Sequence, residues 1–368
     1  MKPLSGIKII DFSTLLPGPL TSLMLSDAGA EVIKIEKKDG EDMRKTGPYI
    51  HNESVLFAML NRGKKSVAVD LKEKKSLNKI IKLIKNSDVL IEQFRPGVMK
   101  RLGLDWNKIK KINKKIVYCS ITGYGQKGVK SKKAGHDINY LAESGLLRLS
   151  TYKDGFPSIP FSQIADIAGG SYPAFMNIIL ALFKAKRTGS GSFLDISMYE
   201  NLIPLAWLSL THTIIKKPPK ENSLNLNGGI ARYNIYETKD KKFLALGALE
   251  DKFWEKFCYL IKASEQISKE LIPQKLLIKK IREIIKSKTE NYWKNKFDKE
   301  ENVCCTSVKD ISDFMKDVHV LKKKLFTNKV NIKNKKIPLI PTSLDKNLAK
   351  INKTNNVPKL GEHNSIIK

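Results

Sequence analysis

Apolar residues in the first half of the chain follow two alternating patterns. Short dense runs at 6–12, 31–36, 66–71, 88–92, 116–121 and 193–197 predict β-strands. Between them, apolar positions recur at three- and four-residue spacing. Leu77, Ile80, Ile81 and Ile84, with lysines in the gaps, are the clearest case and predict an amphipathic helix. A helix predicted at 18–29 starts beside Pro17 and Pro19 and stops at Gly29, residues suited to those two ends. A longer one is predicted at 166–186, closed by Gly189-Ser190-Gly191. Strands that alternate with helices imply a parallel, doubly wound, Rossmann-like sheet. Ligands of such sheets bind beyond the carboxyl ends of the strands.

The pattern changes after residue 215. Residues 204–210 are apolar and predicted helical, whereas 216–227 are polar, contain Pro218-Pro219 and read as a linker. Beyond Gly228-Gly229, segments 233–238 and 243–247 predict a hairpin around Lys239-Asp240-Lys241. Helices are predicted at 253–261, 268–271, along Leu277, Ile281, Ile284 and Ile285, and at 292–297 and 307–316. The expected fold class is therefore α/β. A large domain spans 1–215 and a smaller α+β domain spans 228–325; the segment 326–368 returns to the large domain, with 339–368 polar and coil-like. No internal repeat is present.

Composition narrows the function. The chain has 368 residues, 41% of them hydrophobic, enough for folded cores. Its net charge is +30, from 67 Lys+Arg against 37 Asp+Glu. The lysines are spread through every segment alongside Ile and Asn, which fits compositional drift better than a nucleic-acid stripe. No nucleic-acid motif appears, so no such partner is expected; an anionic small ligand gains from the same field. Cys119, Cys258, Cys304 and Cys305 lack metal-ligand spacing, and no metal site is expected. No secretory pattern follows Met1-Lys2-Pro3-Leu4, so a reducing cytoplasm is the expected compartment. The most apolar window, 174–183, is about half the length that spans a bilayer and reads as a buried helix.

The predicted strand ends carry the polar residues of interest. Lys37 follows the second strand, and Asp70, Leu71 and Lys72 close the third. Gln93-Phe94-Arg95-Pro96-Gly97 follows the fourth, and Thr122-Gly123-Tyr124-Gly125 the fifth. Together they suggest a groove for a phosphate-bearing ligand, although neither a Walker loop nor G-x-G-x-x-G is present. Further on, Ala134-Gly135-His136-Asp137-Ile138-Asn139-Tyr140 offers an imidazole, and Ala165-Asp166-Ile167-Ala168-Gly169-Gly170 a carboxylate at the start of an apolar helix. These are the commonest side-chain proton carriers near neutral pH. Facing each other across a substrate carbon, they would remove a proton on one side and return it on the other. Asp166 taken alone is equally suited to capping its helix. His51, His212, His319 and His363 lack such a setting and read as structural or superficial.

Nearly the whole chain resembles the α-methylacyl-CoA racemase branch of the family III CoA-transferase superfamily. The match includes Asp11-Phe12 with Pro17-Gly18-Pro19, Ala30-Glu31-Val32-Ile33-Lys34-Ile35-Glu36, Phe94-Arg95-Pro96-Gly97-Val98, Arg101-Leu102-Gly103-Leu104, Thr122-Gly123-Tyr124-Gly125-Gln126, Ala165-Asp166 and Gly361-Glu362-His363, of which the short N-terminal motifs are shared by the whole superfamily. Gly135-His136-Asp137-Ile138-Asn139-Tyr140 and Gly247-Ala248-Leu249-Glu250 point to the racemase branch. The resemblance implies an interlocked-ring homodimer and an acyl-CoA substrate, with coenzyme A as part of the thioester and no separate cofactor. It implies that Lys37 meets the CoA phosphates; lysine at a position that often carries arginine keeps the charge but loses the bidentate fork. Val69, Asp70, Leu71 and Lys72 then grip the adenosine end, and Gln93, Phe94, Arg95 and Arg101 line the same groove. Gly135, Asp137, Ile138, Asn139 and Tyr140 carry the pantetheine-thioester end. His136 and Asp166 become the two bases, and Glu250, from the partner subunit's small domain, sets the tautomer of His136. Backbone N–H groups near Asp166 are candidates to hold the enolate oxygen. The competing expectation is a CoA-transferase with Asp166 as nucleophile. The acyl pocket is expected along 142–159 and in the small domain.

Overall fold

The computed structural model describes residues 2–151, 155–349 and 351–367. Tyr152, Lys153 and Asp154 of the expected acyl-pocket stretch lie outside the described residues. The chain forms two compact units, one of residues 1–144, 159–206 and 319–368, the other of 145–158 and 207–318.

The first unit is built on a six-stranded parallel sheet of β1 (Lys8–Asp11), β2 (Glu31–Glu36), β3 (Lys65–Ala68), β4 (Val89–Glu92), β5 (Val117–Thr122) and β6 (Ser192–Ser197). Their spatial order is β3-β2-β1-β4-β5-β6. The order reverses between β1 and β4, and that switch point is where doubly wound sheets open a crevice. Every residue of β4 and β5 is buried, as expected for strands covered on both faces. The predicted stripe lies on the helix Lys74–Lys85. Its Ile80 and Ile84 are fully buried against Ile10, Ile35 and Leu90, while its lysines stay in water. β3 stops at Ala68, short of the predicted end, because Asp70 and Lys72 turn the chain: the Asp70 carboxylate accepts the Lys72 N–H at 2.8 Å.

The long helix differs from expectation at both its start and its surface. It opens as a π-helical stretch, Ala165–Ser171, and becomes α-helical over Tyr172–Thr188. Pro173, Ala174, Ile178, Ala181 and Ala185 are buried on one side, but Met176, Leu180 and Phe183 are more than half exposed. The apolar window is thus packed on one face only, not buried. The full run Ala165–Thr188 is long and apolar enough to cross a membrane by length and composition.

A small sheet precedes and enters the tail, whose described residues from 339 on are otherwise irregular except for 354–356 and 364–367. β10 (Lys329–Ile332), β11 (Lys335–Pro338) and β12 (Thr354–Asn356) form a small sheet in the order β11-β10-β12. Residues 361–364 then close the open edge of β3. Ser66 N–H donates to His363 Nδ1 at 3.2 Å, and Ala68 N–H to Asn364 Oδ1 at 2.8 Å. An edge strand left bare is a template for unwanted pairing, and this segment covers it.

The second unit carries the antiparallel strands β7 (Tyr233–Glu237), β8 (Phe243–Gly247) and β9 (Cys305–Ser307) in the order β9-β8-β7. β9 occupies the start of a segment predicted helical; only Ile311–Lys316 of that segment is helix. Its core gathers Tyr236, Leu244 and Leu246 of the sheet with Trp254, Phe257, Leu277, Ile281, Ile285, Trp293 and Phe297 of its helices.

Candidate active site

The crevice at the switch point holds a cavity of about 310 Å³. The turn after β1 supplies Thr14, Leu15 and Pro17, and the turn after β4 supplies Gln93, Phe94, Arg95 and Pro96. The end of β5 adds Ile121, Thr122 and Gly123, and residues 133–136 cross the opening with Lys133, Ala134, Gly135 and His136. Tyr140, Asp166 and Met198 complete the wall. The cavity therefore brings together His136, Asp166, Gln93, Phe94, Arg95, Gly135 and Tyr140 of the residues singled out from sequence.

His136 is the N-cap residue of the helix Asp137–Glu143. Its own N–H donates to Asn139 Oδ1 at 2.9 Å, and its carbonyl accepts the Asn139 N–H at 2.8 Å. Asn139 therefore clamps the backbone that presents the imidazole, which remains exposed at the cavity mouth. Tyr140 anchors the preceding turn by donating its hydroxyl to the Gly135 carbonyl at 2.6 Å. The ring fits only because Gly123 and Gly135 lack side chains. A Cβ on Gly123 would meet the Tyr140 hydroxyl at 2.5 Å, and one on Gly135 would meet the ring at 2.8 Å. Burial, and the nearby Asp166 carboxyl after it, push the Tyr140 phenol up to about 12.

Asp166 sits in the π-helical first turn, a geometry often found at functional sites. Its N–H donates to Asp137 Oδ1 at 3.0 Å. That bond ties the carboxylate-bearing turn to the imidazole-bearing helix, and it occupies the Asp166 amide, which is not free to hold a substrate oxygen. Burial pushes the Asp166 carboxyl up to about 7, and the like charge of Asp137 adds to the rise. At neutral pH such a group is close to equally acid and base, the state that serves proton transfer best.

The other expected contacts lie outside the cavity. Lys37 is exposed and paired with Asp42 at 2.8 Å and Asp39 at 3.8 Å. Val69 is buried and extends the ladder through its N–H to the Glu36 carbonyl at 2.9 Å; Asp70 and Leu71 are half-buried and Lys72 exposed. These four follow β3, and Lys37 follows β2, so they continue the row of strand ends away from the switch point. Arg101 is exposed at the end of the turn Val98–Arg101. Ile138 and Asn139 are exposed on their helix. Glu250 belongs to the second unit, exposed at the N-cap of the helix Asp251–Leu260. Thr14, Leu15, Lys133 and Met198 were not anticipated. Lys133, two residues before Gly135, is the one that adjacency to the motif would have signalled; it pairs with Glu143, whose carboxyl Lys130 and Lys133 hold down at about 2.

Beneath the turn after β1 lies a closed network of charges. Asp11, Lys34, Glu41 and Lys64 are each no more than 3% exposed. Lys34 Nζ donates to the Ser13 carbonyl at 2.7 Å and meets Glu41 Oε1 at 3.0 Å. Glu41 Oε2 accepts the Leu15 N–H at 3.0 Å, holding a residue whose φ of 61° is costly for leucine. Lys64 Nζ donates to the Pro19 carbonyl, Ser22 Oγ and Asn61 Oδ1 at 2.8–3.0 Å and lies 3.4 Å from Asp11 Oδ2. Fixed buried charges of this kind hold the Thr14-Leu15 wall of the cavity in one shape.

The model of CoA-transferase family III matches residues 4–364. The chain belongs to CoA-transferase family III. Its relatives within that family include enzymes of both chemistries. It is 33% identical over 325 residues to mouse α-methylacyl-CoA racemase, covering 86% of this chain and 80% of that enzyme. It is 35% identical over 269 residues to mouse succinyl-CoA:glutarate CoA-transferase, covering 73% of this chain and only 61% of that one. Among solved structures, Rv3272 of Mycobacterium tuberculosis superposes on the whole family III chain with a TM-score of 0.85 at 26% identity, covering 99% of its own length. The family III fold thus explains the sheet order and the crevice, and leaves the choice between racemisation and CoA transfer to the site itself.

Proposed function

We propose that the protein is an α-methylacyl-CoA racemase, interconverting (R)- and (S)-2-methylacyl-CoA thioesters through an enolate. The observation that carries the reading is the shared cavity of His136 and Asp166, with the Asp166 carboxyl raised to about 7. A thioester carbonyl acidifies its α C–H. One of the two groups takes that proton as base, and the other, in its acid form, returns a proton to the opposite face; the roles exchange with the hand of the substrate. In this reading Lys37 meets the CoA phosphates, Val69, Asp70, Leu71 and Lys72 grip the adenosine end, Gln93, Phe94, Arg95 and Arg101 line the same groove, and the segment from Gly135 to Tyr140 carries the pantetheine-thioester end, within the net field of +30. The working form in this reading is a homodimer in which the partner subunit's Glu250 orients His136. Glu250→Gln is expected to slow racemisation about tenfold, and unchanged kinetics would remove it from the site.

Asp137 tunes Asp166 in this scheme. Asp137→Asn keeps an oxygen for the Asp166 N–H but removes the neighbouring charge. The acid limb of the pH–rate profile should therefore move to lower pH. A limb that stays in place would mean that Asp166 is not the group titrating.

The transferase relatives favour one alternative, in which ionised Asp166 attacks the acyl-CoA carbonyl and expels CoA thiolate to form a mixed anhydride, and the thiolate then attacks the aspartyl carbonyl, releasing the donor carboxylate and leaving CoA on Asp166 as a thioester that an acceptor acid later takes up. Hydroxylamine added during turnover separates the two. The racemase reading expects no adduct, whereas a hydroxamate on Asp166 in the mass spectrum would establish transfer.

A further inference from the structure

Three neighbouring strands place a polar row across the sheet just behind the cavity. Glu92 of β4 is in register with Ser120 of β5, and Ser120 with Asp195 of β6. Glu92 and Ser120 are buried, at 3% and 0% exposure, while Asp195 opens to solvent. Both ends of the row hold turns. Glu92 Oε2 accepts the Phe94 N–H at 2.8 Å, at the root of the turn that supplies Phe94, Arg95 and Pro96 to the cavity. Gln126, at the end of the Thr122-Gly123-Tyr124-Gly125-Gln126 loop, donates its side-chain amide to Ser120 Oγ at 2.7 Å. Its backbone N–H donates to both oxygens of Asp195 at 3.0 Å. Ser120, in register beside Glu92, holds back the rise of its carboxyl.

We propose that Glu92 is a positioning residue that, when ionised, holds the turn after β4 that lines the cavity and, when protonated, loosens it, so that coenzyme A binds more tightly when Glu92 is ionised. A charged acceptor makes the stronger bond to the Phe94 N–H, and protonation reduces it to an ordinary neutral bond. Burial brings this change into the working range by pushing the Glu92 carboxyl up to about 7, with Asp195 adding to the rise. The other titratable groups facing it are Tyr118 and Cys119 on β5, whose protons burial holds well above that range. The inference rests on the assignment of Gln93, Phe94 and Arg95 to coenzyme A.

The test is calorimetric titration of the full-length protein with coenzyme A between pH 5.5 and 8.5, for wild type, Glu92→Gln and Ser120→Ala. Wild-type affinity should fall three- to tenfold on acidification through neutrality. Glu92→Gln, whose amide oxygen still accepts the Phe94 N–H, should lose that fall apart from the ligand's own phosphate titration, which all three proteins share. Ser120→Ala, which removes the group that holds back the rise of the Glu92 carboxyl, should move the midpoint to higher pH. A Glu92→Gln profile that follows wild type, or a Ser120→Ala midpoint that does not move, would overturn the role of Glu92 alone. A wild type with no affinity for coenzyme A at any pH would overturn the coenzyme A assignment, and this inference with it.

Discussion

Replacing His136 or Asp166 with alanine should lower α-proton exchange of a 2-methylacyl-CoA by about 10³-fold or more. A positioned acid or base contributes 10²–10⁴ to such a step, and each variant removes one of only two. Coenzyme A affinity should stay within about threefold of wild type, because the turn after β4 and the row of strand ends that follow β2 and β3 are untouched. Deuterium uptake by mass spectrometry and calorimetric titration measure the two halves separately. A variant with full exchange would show that its side chain is not a base. Asp166→Asn carries a second signature. The folded-state carboxyl sits near 7, well above its unfolded value near 4, so ionised Asp166 costs stability as pH rises through 7. The asparagine variant should therefore gain roughly 2–4 kcal/mol over wild type at pH 8 and little at pH 4, a thermal-shift pattern that checks whether the Asp166 carboxyl is raised.

Asp11→Ala should be the most damaging substitution to the fold of the first unit. It leaves Lys64 without its nearest buried counter-charge and the Ser13 hydroxyl without its acceptor, and it takes from Ser22 the shorter of its two acceptors. Breaking a buried pair from one side costs about 3–5 kcal/mol, or roughly 10 °C in melting temperature for a unit of this size. Burial alone would raise the Asp11 carboxyl, but Lys34, Lys64 and the two serines outweigh it and hold it below the ordinary carboxylate range. The stabilisation is thus complete above the unfolded carboxylate value and is lost only as pH falls through the lower folded one. A melting temperature within 2–3 °C of wild type across pH 5–8, by roughly the same conversion, would contradict the role given to the network. Thr14 and Leu15 ride on the same charges, so any folded Asp11 variant should also bind coenzyme A more weakly.

The large sheet was legible because its strands are dense apolar runs, and the helix Lys74–Lys85 between two of them carries a clear stripe. The small C-terminal sheet was not. In β10 and β11 only Val330 and Ile332 are buried; the outward lysines hide the alternation, and the turn is Lys333-Asn334, both at positive φ, in place of the usual Asn-Gly signal. The long helix was found but not its π-helical start, since the extra residue per turn reflects how Asp166 is held and leaves no mark on local spacing. His136 and Asp166 were legible as chemistry and as motif. The bond from the Asp166 N–H to Asp137 was not, because it joins residues 29 positions apart through tertiary packing. The same holds for Leu15 on Glu41 and for the row through Glu92: each is a side chain reaching a backbone or a neighbouring strand that sequence order does not bring near.

The most direct test of the racemase reading is incubation of the wild-type protein with a panel of single-enantiomer 2-methylacyl-CoA thioesters in deuterated water, followed by mass spectrometry and chiral analysis. The proposal predicts one deuterium at C2 and approach to an equal mixture of enantiomers from either side, without any acceptor acid. Retained configuration and no deuterium, with CoA passing to an added carboxylic acid, would contradict it.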